Sequence, residues 1–386
     1  MNQREVSELR RRFRPEKSAI SRVYGCFVNG GGEIVSDLNE SFGMMPSEEV
    51  EKYLSLLKKA LSGALGRNLI DIVFSTHQVA DSDEHRLLTA LRDSALKDAD
   101  ARQTFYRKVI DALDMDGGNY LILLAHDAYD VPHRSKDDEI QPDASDQVFR
   151  YILCCVCPVK DGKVELSYYP GDNEFHISSS GQTVAAPELG FLFPAFDNRA
   201  ANLYNALFYA RNADQLHQEF IDAVFHTEAP MSAGEQKEAF QTALSDALDA
   251  DCNLEVVQAV HEQLREKLLE HKESKSPEPL EVTTQEVGRI LQTCGVAQDQ
   301  AAAFQDTCNR QFGPNAVLNP ANLIDSKRFQ IKTPEVTISV DPEYSHLVET
   351  RRIGGRNYLL IPVEDGVEIN GFPVGVETSG GSAAKK

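Results

Sequence analysis

The chain has 386 residues, 41% hydrophobic and 26% charged, which supplies a sizeable core and exceeds one ordinary domain. Acidic residues outnumber basic ones 60 to 39, a formal net charge of -21, so repulsion over most of the surface disfavours a DNA-binding role. No stretch approaches the roughly 18 apolar residues of a membrane span, and the charged N-terminus lacks the apolar run of a secretory signal.

Cysteine usage points to a compartment. The seven cysteines are odd in number, and Cys154, Cys155 and Cys157 crowd into one apolar run. That pattern fits free thiols in a reducing cytoplasm better than a disulfide framework. Within a strand, Cys155 and Cys157 share a face and Cys154 points away. No second cysteine pair at ligand spacing joins them, so they read as small buried hydrophobes.

Residues 5–13 read as a short charged helix ending before Pro15. The N-terminal segment is locally basic: Arg4, Arg10, Arg11, Arg12, Arg14, Lys17 and Arg22 face only Glu5, Glu8 and Glu16, a net of +4. The simplest account is a solvated helix face, and the alternative is a contact surface for a partner or RNA centred on Arg10, Arg11 and Arg12. A hairpin follows, turning at Asn29-Gly30-Gly31-Gly32. This glycine run is not a phosphate loop, because strand flanks it on both sides and no Lys-Ser or Lys-Thr follows.

Ser47 starts a helix with Glu48 and Glu49 in its first turn, and Val50, Leu54, Leu57 and Leu61 recur at helical spacing. Residues 69–74 read as a strand; 87–96 and 105–113 read as helices. The run Tyr120-Leu121-Ile122-Leu123-Leu124-Ala125 is continuously apolar, which suits a strand buried on both faces. Residues 149–159 and 163–169 form two further strands, with a hairpin expected at Asp161-Gly162.

From 198 to 271 helical patterns are expected to dominate, including a Ser232/Glu235 capping box and a Leu254, Val257, His261, Leu264, Leu268 stripe. Polar, proline-bearing residues 273–282 read as a linker. Thr283 and Glu286 cap another helix, and alternation around Val336, Ile338 and Val340 begins a set of short strands. The expected architecture is α+β: a mixed α/β core (1–197), a helical extension packed on it (198–272), the linker, a small α+β domain of helices followed by a β-meander (283–372), and a disordered tail (373–386).

Several strings carry a resemblance: Glu5-Val6-Ser7-Glu8-Leu9-Arg10-Arg11-Arg12-Phe13, and the segments 119–132, 151–159, 187–196, 329–334 and 347–352. They resemble DUF4317, an uncharacterised family common in Firmicutes. The likeness covers nearly the whole chain. It implies a bacterial cytoplasmic protein and brings with it no activity, cofactor or catalytic residue.

The sharpest chemical candidate is His126-Asp127-Ala128-Tyr129-Asp130-Val131-Pro132-His133, read as a loop directly after the buried strand. Two imidazoles and two carboxylates offer nitrogen and oxygen ligands for a divalent metal, so His126, Asp127, Asp130 and His133 are candidate metal ligands and catalytic residues. Asp137, Asp138, Glu139, Asp143 and Asp146 lie downstream to add a ligand or a base. A metal-activated water would then hydrolyse a substrate. The plainer account is a polar loop in which Asp127 or Asp130 caps a turn. Aromatic-rich residues 187–196, with Phe191 and Phe193, read as core, or else as a docking patch for a protein partner.

Three function classes follow. The first is a cytoplasmic interaction or regulatory protein without catalysis. The second is a metal-dependent hydrolase using the His/Asp segment. The third is an RNA- or ribosome-associated factor using the basic N-terminal helix.

Overall fold

A computed structural model describes residues 1–134, 140–162, 164–179, 181–314, 316–363, 366–369 and 371–374. Side chains at 133–134, 140–146, 164–165, 178–179, 250 and 369 fall outside that description. So do the acidic side chains expected to support the His/Asp segment and most of the expected tail.

Helix α1 (Gln3–Arg10) begins two residues earlier than its apolar pattern suggests, because Asn2 closes a capping box with Glu5. The Asn2 side chain accepts from the Glu5 amide at 3.1 Å, and the Glu5 carboxylate accepts from the Asn2 amide at 2.8 Å. Both orphan donors of the first turn are thereby satisfied. Strands β1 (Arg22–Val28) and β2 (Ile34–Ser41) form the expected hairpin. Helix α2 (Ser47–Lys59) buries Val50, Leu54 and Leu57, as its spacing requires.

Next come β3 (Leu69–Val73), α3 (Thr76–Asp81), α4 (Asp83–Asp93) and α5 (Ala99–Ala112). Strands β4 (Asn119–Arg134) and β5 (Ile140–Asp161) pair antiparallel along most of their length. The remaining strands of this region are β6 (Val164–Tyr169), β7 (Glu174–Ser179), β8 (Gln182–Val184), β9 (Leu189–Phe193), β10 (Ala195–Asp197), β11 (Ala200–Asn202) and β12 (Asn205–Ala210). Helix α6 (Gln218–Phe225) follows.

The main sheet runs β2-β1-β4-β5-β9-β12-β3, with β8 paired to the end of β5. Every pairing in it is antiparallel. Antiparallel sheets commonly leave one face wet. Here α4, α5 and α6 pack on one face around Ile122, Leu124, Cys154 and Phe191, and α1 and α2 pack on the other around Leu121, Leu123, Cys155 and Leu192. Double coverage explains why the central strands are apolar at successive positions rather than at alternate ones. At Gly25 the backbone of β1 comes so near β4 that a Cβ would meet the Ile122 carbonyl oxygen at 2.2 Å.

Two expectations about strands are corrected. The Asp161-Gly162 corner does not join β5 to β6; β6 turns back on β7 as a separate ribbon, and the end of β5 pairs with β8 instead. The stretch from 198 is not helical at once, since β12 closes the sheet between β9 and β3.

The chain divides into two units, Met1–Gln236 with Lys275–Pro279, and Lys237–Ser274 with Leu280–Lys386. Helices α7 (Ala233–Leu248) and α8 (Leu254–Ser274) therefore belong mainly to the second unit. The Ser232/Glu235 capping box that opens α7 forms as its spacing predicts. In that unit Phe240, Val260 and Leu264 pack with Leu291 of α9 (Thr284–Thr293) and Phe304 of α10 (Gln298–Phe312). Among the described residues, short hairpins at 329–340, 349–360 and 367–374 follow as separate two-stranded ribbons. Among the described residues no helix is long and apolar enough to cross a membrane.

Candidate functional site

Helix α1 lies on its sheet face by Val6 and Leu9, both fully buried. Glu8 and Arg12 stand four residues apart and turn the same way, toward the far end of β4 and β5. Arg12 donates from Nε to Asp127 Oδ2 at 3.0 Å and from Nη2 to Oδ1 at 3.2 Å. Tyr151, the cross-strand neighbour of Asp127, donates its hydroxyl to Oδ2 at 2.8 Å. The carboxylate is 1% exposed and the guanidinium side chain 16%. A planar fork on a carboxylate is the geometry in which Arg differs most from Lys.

A second pair continues the network. The Arg12 guanidinium carbon sits 4.2 Å from the centre of the Tyr129 ring. Tyr129 donates its hydroxyl to Glu8 Oε1 at 2.7 Å, and Arg199 grips both Glu8 oxygens at 2.8 and 2.6 Å. Arg199 also donates to the Pro132 carbonyl at 2.7 Å. Burial, then the Glu8 contact, pushes the Tyr129 phenol up to about 12. Burial pushes Tyr151 well above its ordinary value, with the Asp127 charge assisting.

Arg199 reaches this place through a two-residue turn. Asp197 pairs with Ala200, and the loop residues Asn198 and Arg199 have φ of 48° and 60°. Two successive left-handed residues match the twist of a tight hairpin. Asn tolerates that conformation readily; for Arg it is uncommon, and there its Nη1 bonds both Glu8 oxygens while Nη2 bonds the Pro132 carbonyl.

Above this buried layer lies a cleft of about 710 Å³, lined by Arg4, Arg11, Arg12, Lys17, Arg199 and Lys275, with Glu8 as its one carboxylate. Lys275 comes from the segment expected to be a plain linker. That segment returns to α1 instead: the Gln3 amide donates to the Pro277 carbonyl at 2.8 Å, and Asn2 Nδ2 donates to Glu278 at 3.2 Å. Arg12 and Arg199 are each matched by a carboxylate. Among the described residues, Arg4, Arg11, Lys17 and Lys275 have no acidic partner within ion-pair distance. Four uncompensated cations around one concavity, in a chain of net charge -21, form a local inversion of the overall field.

A family model described as a domain of unknown function (DUF4317) matches residues 1–372. The chain belongs to that family. No curated protein matches it. The family match includes every residue that lines the cleft.

In this DUF4317 chain the His126–His133 segment is strand rather than loop. The pleat sends successive side chains to opposite faces. Asp127 and Tyr129 point toward α1, while His126 and Asp130 leave the other side; His133 continues the strand, with its side chain outside the described residues. The proposed metal quartet is thus corrected: His126 and Asp127 are adjacent in sequence and separated by the sheet. Asp127 already serves Arg12 and Tyr151. Among the described residues no three His, Cys, Asp or Glu converge on a metal position.

His126 is half-buried, and its buried Nε2 has no hydrogen-bond partner among the described residues. Burial holds its imidazole below the ordinary 6.5, with Asp127 opposing and Arg150 assisting. The unfolded chain therefore binds a proton that the folded chain resists. Stability from this group is intact above pH 6.5 and declines as the pH falls below it. His126→Gln is expected to flatten that acid decline in urea unfolding measured from pH 7.5 to 5. His217 and His261, shifted the same way by burial, retain part of it. An unchanged slope would assign the decline to those other groups.

Of the basic candidates, Arg11 is exposed at the cleft, Arg12 is committed to Asp127, and Arg10 is half-buried off the cleft, its Nε without a partner among the described residues. Phe191 and Phe193, read as core or else as a docking patch, are both fully buried, so the core account describes them and the patch alternative is corrected. Cys154, Cys155 and Cys157 are buried thiols, the last pushed up to about 12 by burial. Sequence reasoning missed Glu8, Tyr129, Tyr151, Arg199 and Lys275. The four-residue spacing of Glu8 and Arg12 was the one local signal available; Arg199 and Lys275 arrive through tertiary structure alone.

Proposed function

We propose that the protein is a cytoplasmic regulatory or interaction protein, without chemistry of its own, that recognises an anionic ligand in the cleft beside α1. The observation that carries this reading is the set of four uncompensated cations, Arg4, Arg11, Lys17 and Lys275, around one concavity. Guanidinium and ammonium groups stay protonated at neutral pH, so they bind and orient rather than exchange protons. The two cleft groups suited to proton transfer are otherwise engaged: Glu8 holds Arg199, and Tyr129 donates to Glu8. The volume falls within the range of roughly 300–1,000 Å³ typical of small-ligand sites.

The test is a salt series. Purified protein is titrated with an anion panel comprising an acidic peptide, single-stranded RNA and polyphosphorylated small molecules. Binding that weakens steeply between 50 and 200 mM salt and drops at least about tenfold in Arg4→Glu/Arg11→Glu is the expected result. An RNA- or ribosome-associated role rests on the same cations and would show as a clear preference for RNA within the panel. Silence across the whole panel, or equal binding by the variant, rules the reading out.

A further inference from the structure

We infer that the occupant of this cleft is a small molecule carrying two or more clustered phosphate groups, gripped between α1 and the returning segment 275–279. The inference rests on the anion-recognition reading above and narrows it to one ligand class.

The first argument is charge. Six cations line the cleft; Glu8 matches Arg199 and Asp127 matches Arg12, which leaves four. A phosphate group brings about -1.5 to -2 at neutral pH, so two or three of them are needed for balance. A monocarboxylate would leave most of the cationic charge unmatched. Guanidinium forks and ammonium groups are also the groups that best complement phosphate oxygens.

The second argument is extent. Arg4 and Arg11 lie seven residues apart on one face of α1, a separation of about 10 Å along the axis. One phosphate group does not reach both, whereas a cluster or short chain of them does. Lys275 lines the same cleft from a segment fastened to α1 by the Gln3–Pro277 and Asn2–Glu278 hydrogen bonds.

The third argument concerns size. A nucleic-acid strand needs a continuous cationic track, and its charges repeat along its length. Outside the cleft a strand would meet a molecule whose total charge is -21, with only about 8–10 Å of screening length at physiological salt. A small polyphosphorylated molecule places all its charge inside the concavity and avoids that repulsion.

Binding therefore ties Lys275 to the N-terminal helix, and the ligand becomes an additional clasp on segment 275–279. The experiment uses the full chain and sodium tripolyphosphate as the probe. Isothermal titration is run on wild type, Arg11→Glu and Lys275→Gln, with circular dichroism confirming that each variant is folded. Trypsin cleavage after Lys275 is timed in wild type with and without the probe.

The expected result is one tripolyphosphate per chain, weakened at least about tenfold by Arg11→Glu and about threefold or more by Lys275→Gln, with slower cleavage after Lys275. If tripolyphosphate does not bind while RNA or an acidic peptide does, the inference falls and the anion-recognition reading stands. Should no anion bind at all, both fall together. Binding that ignores both substitutions, or leaves the cleavage rate unchanged, also overturns the inference, because the ligand would then sit elsewhere.

Discussion

Asp127→Ala is expected to lower the unfolding free energy by about 3–5 kcal/mol, the loss typical when one partner of a buried ion pair is removed. The carboxylate it deletes accepts two donors from Arg12 and one from Tyr151. Without it, a guanidinium that is only 16% exposed keeps its charge and loses its fork, and a fully buried phenol loses its acceptor. Partial access of Arg12 to the cleft allows some hydration, which puts the expected value at the lower end of that range. Urea unfolding provides the measurement: the midpoint should move and the slope should stay constant. Asp127→Asn tests the cause, since the amide oxygen still accepts from Tyr151 or Arg12 while the charge pairing is gone. It should fall between wild type and the alanine variant. Replacing Arg12 and Asp127 together by Met and Leu removes both charges and should recover much of the loss. A loss below about 1 kcal/mol in Asp127→Ala would mean that Arg12 finds another acid, and Glu8 is the nearest candidate.

That network also shows how far local reasoning could go. The apolar run at Tyr120–Ala125 announced a strand covered on both faces, and the structure places it inside the sheet, between β1 and β5. The strand did not stop at Ala125, because Asp127, Tyr129 and Val131 continue the face that packs under α1. Read as a loop, the segment seemed to gather His126, Asp127, Asp130 and His133; read as a strand, the same residues divide between two faces. A buried carboxylate interrupts an apolar pattern, and the pattern alone does not reveal the Arg12 that compensates it from 115 residues away.

The cleft was legible in half. Arg11 and Arg12 stood out as a basic cluster, but whether such a cluster is a solvated face or a binding site depends on what lies opposite. Arg199 comes from a left-handed hairpin corner with no glycine to mark it, and Lys275 from a segment whose prolines and charges read as a spacer. The Pro277 carbonyl nonetheless accepts from the Gln3 amide, which ties that segment to α1. Composition describes a segment's stiffness and not its destination. An amphipathic stripe such as that of α8 likewise states that a face is buried and leaves its partner open.

Phe191→Ala is the second large effect expected, a loss of about 3–5 kcal/mol. β9 lies between β5 and β12, and its residues Leu189–Phe193 are buried throughout. The Phe191 ring meets Phe225 at 5.2 Å edge-on, Phe105 at 6.0 Å and Phe220 at 6.3 Å. Truncation opens a cavity beneath α5 and α6 that the sheet backbone is too tightly paired to fill. Phe191→Leu keeps most of the volume and should lose clearly less than the alanine variant. The pair of substitutions distinguishes core from surface, because an exposed ring of the kind a docking patch requires would change stability by no more than about 0.5 kcal/mol. Equal, small effects in both variants would return Phe191 to the surface and reopen the search for a protein partner there. A steep alanine loss with a mild leucine one assigns the ring to the core that holds β9 under α5 and α6, leaving the cationic cleft on the opposite sheet face as the place for the proposed ligand.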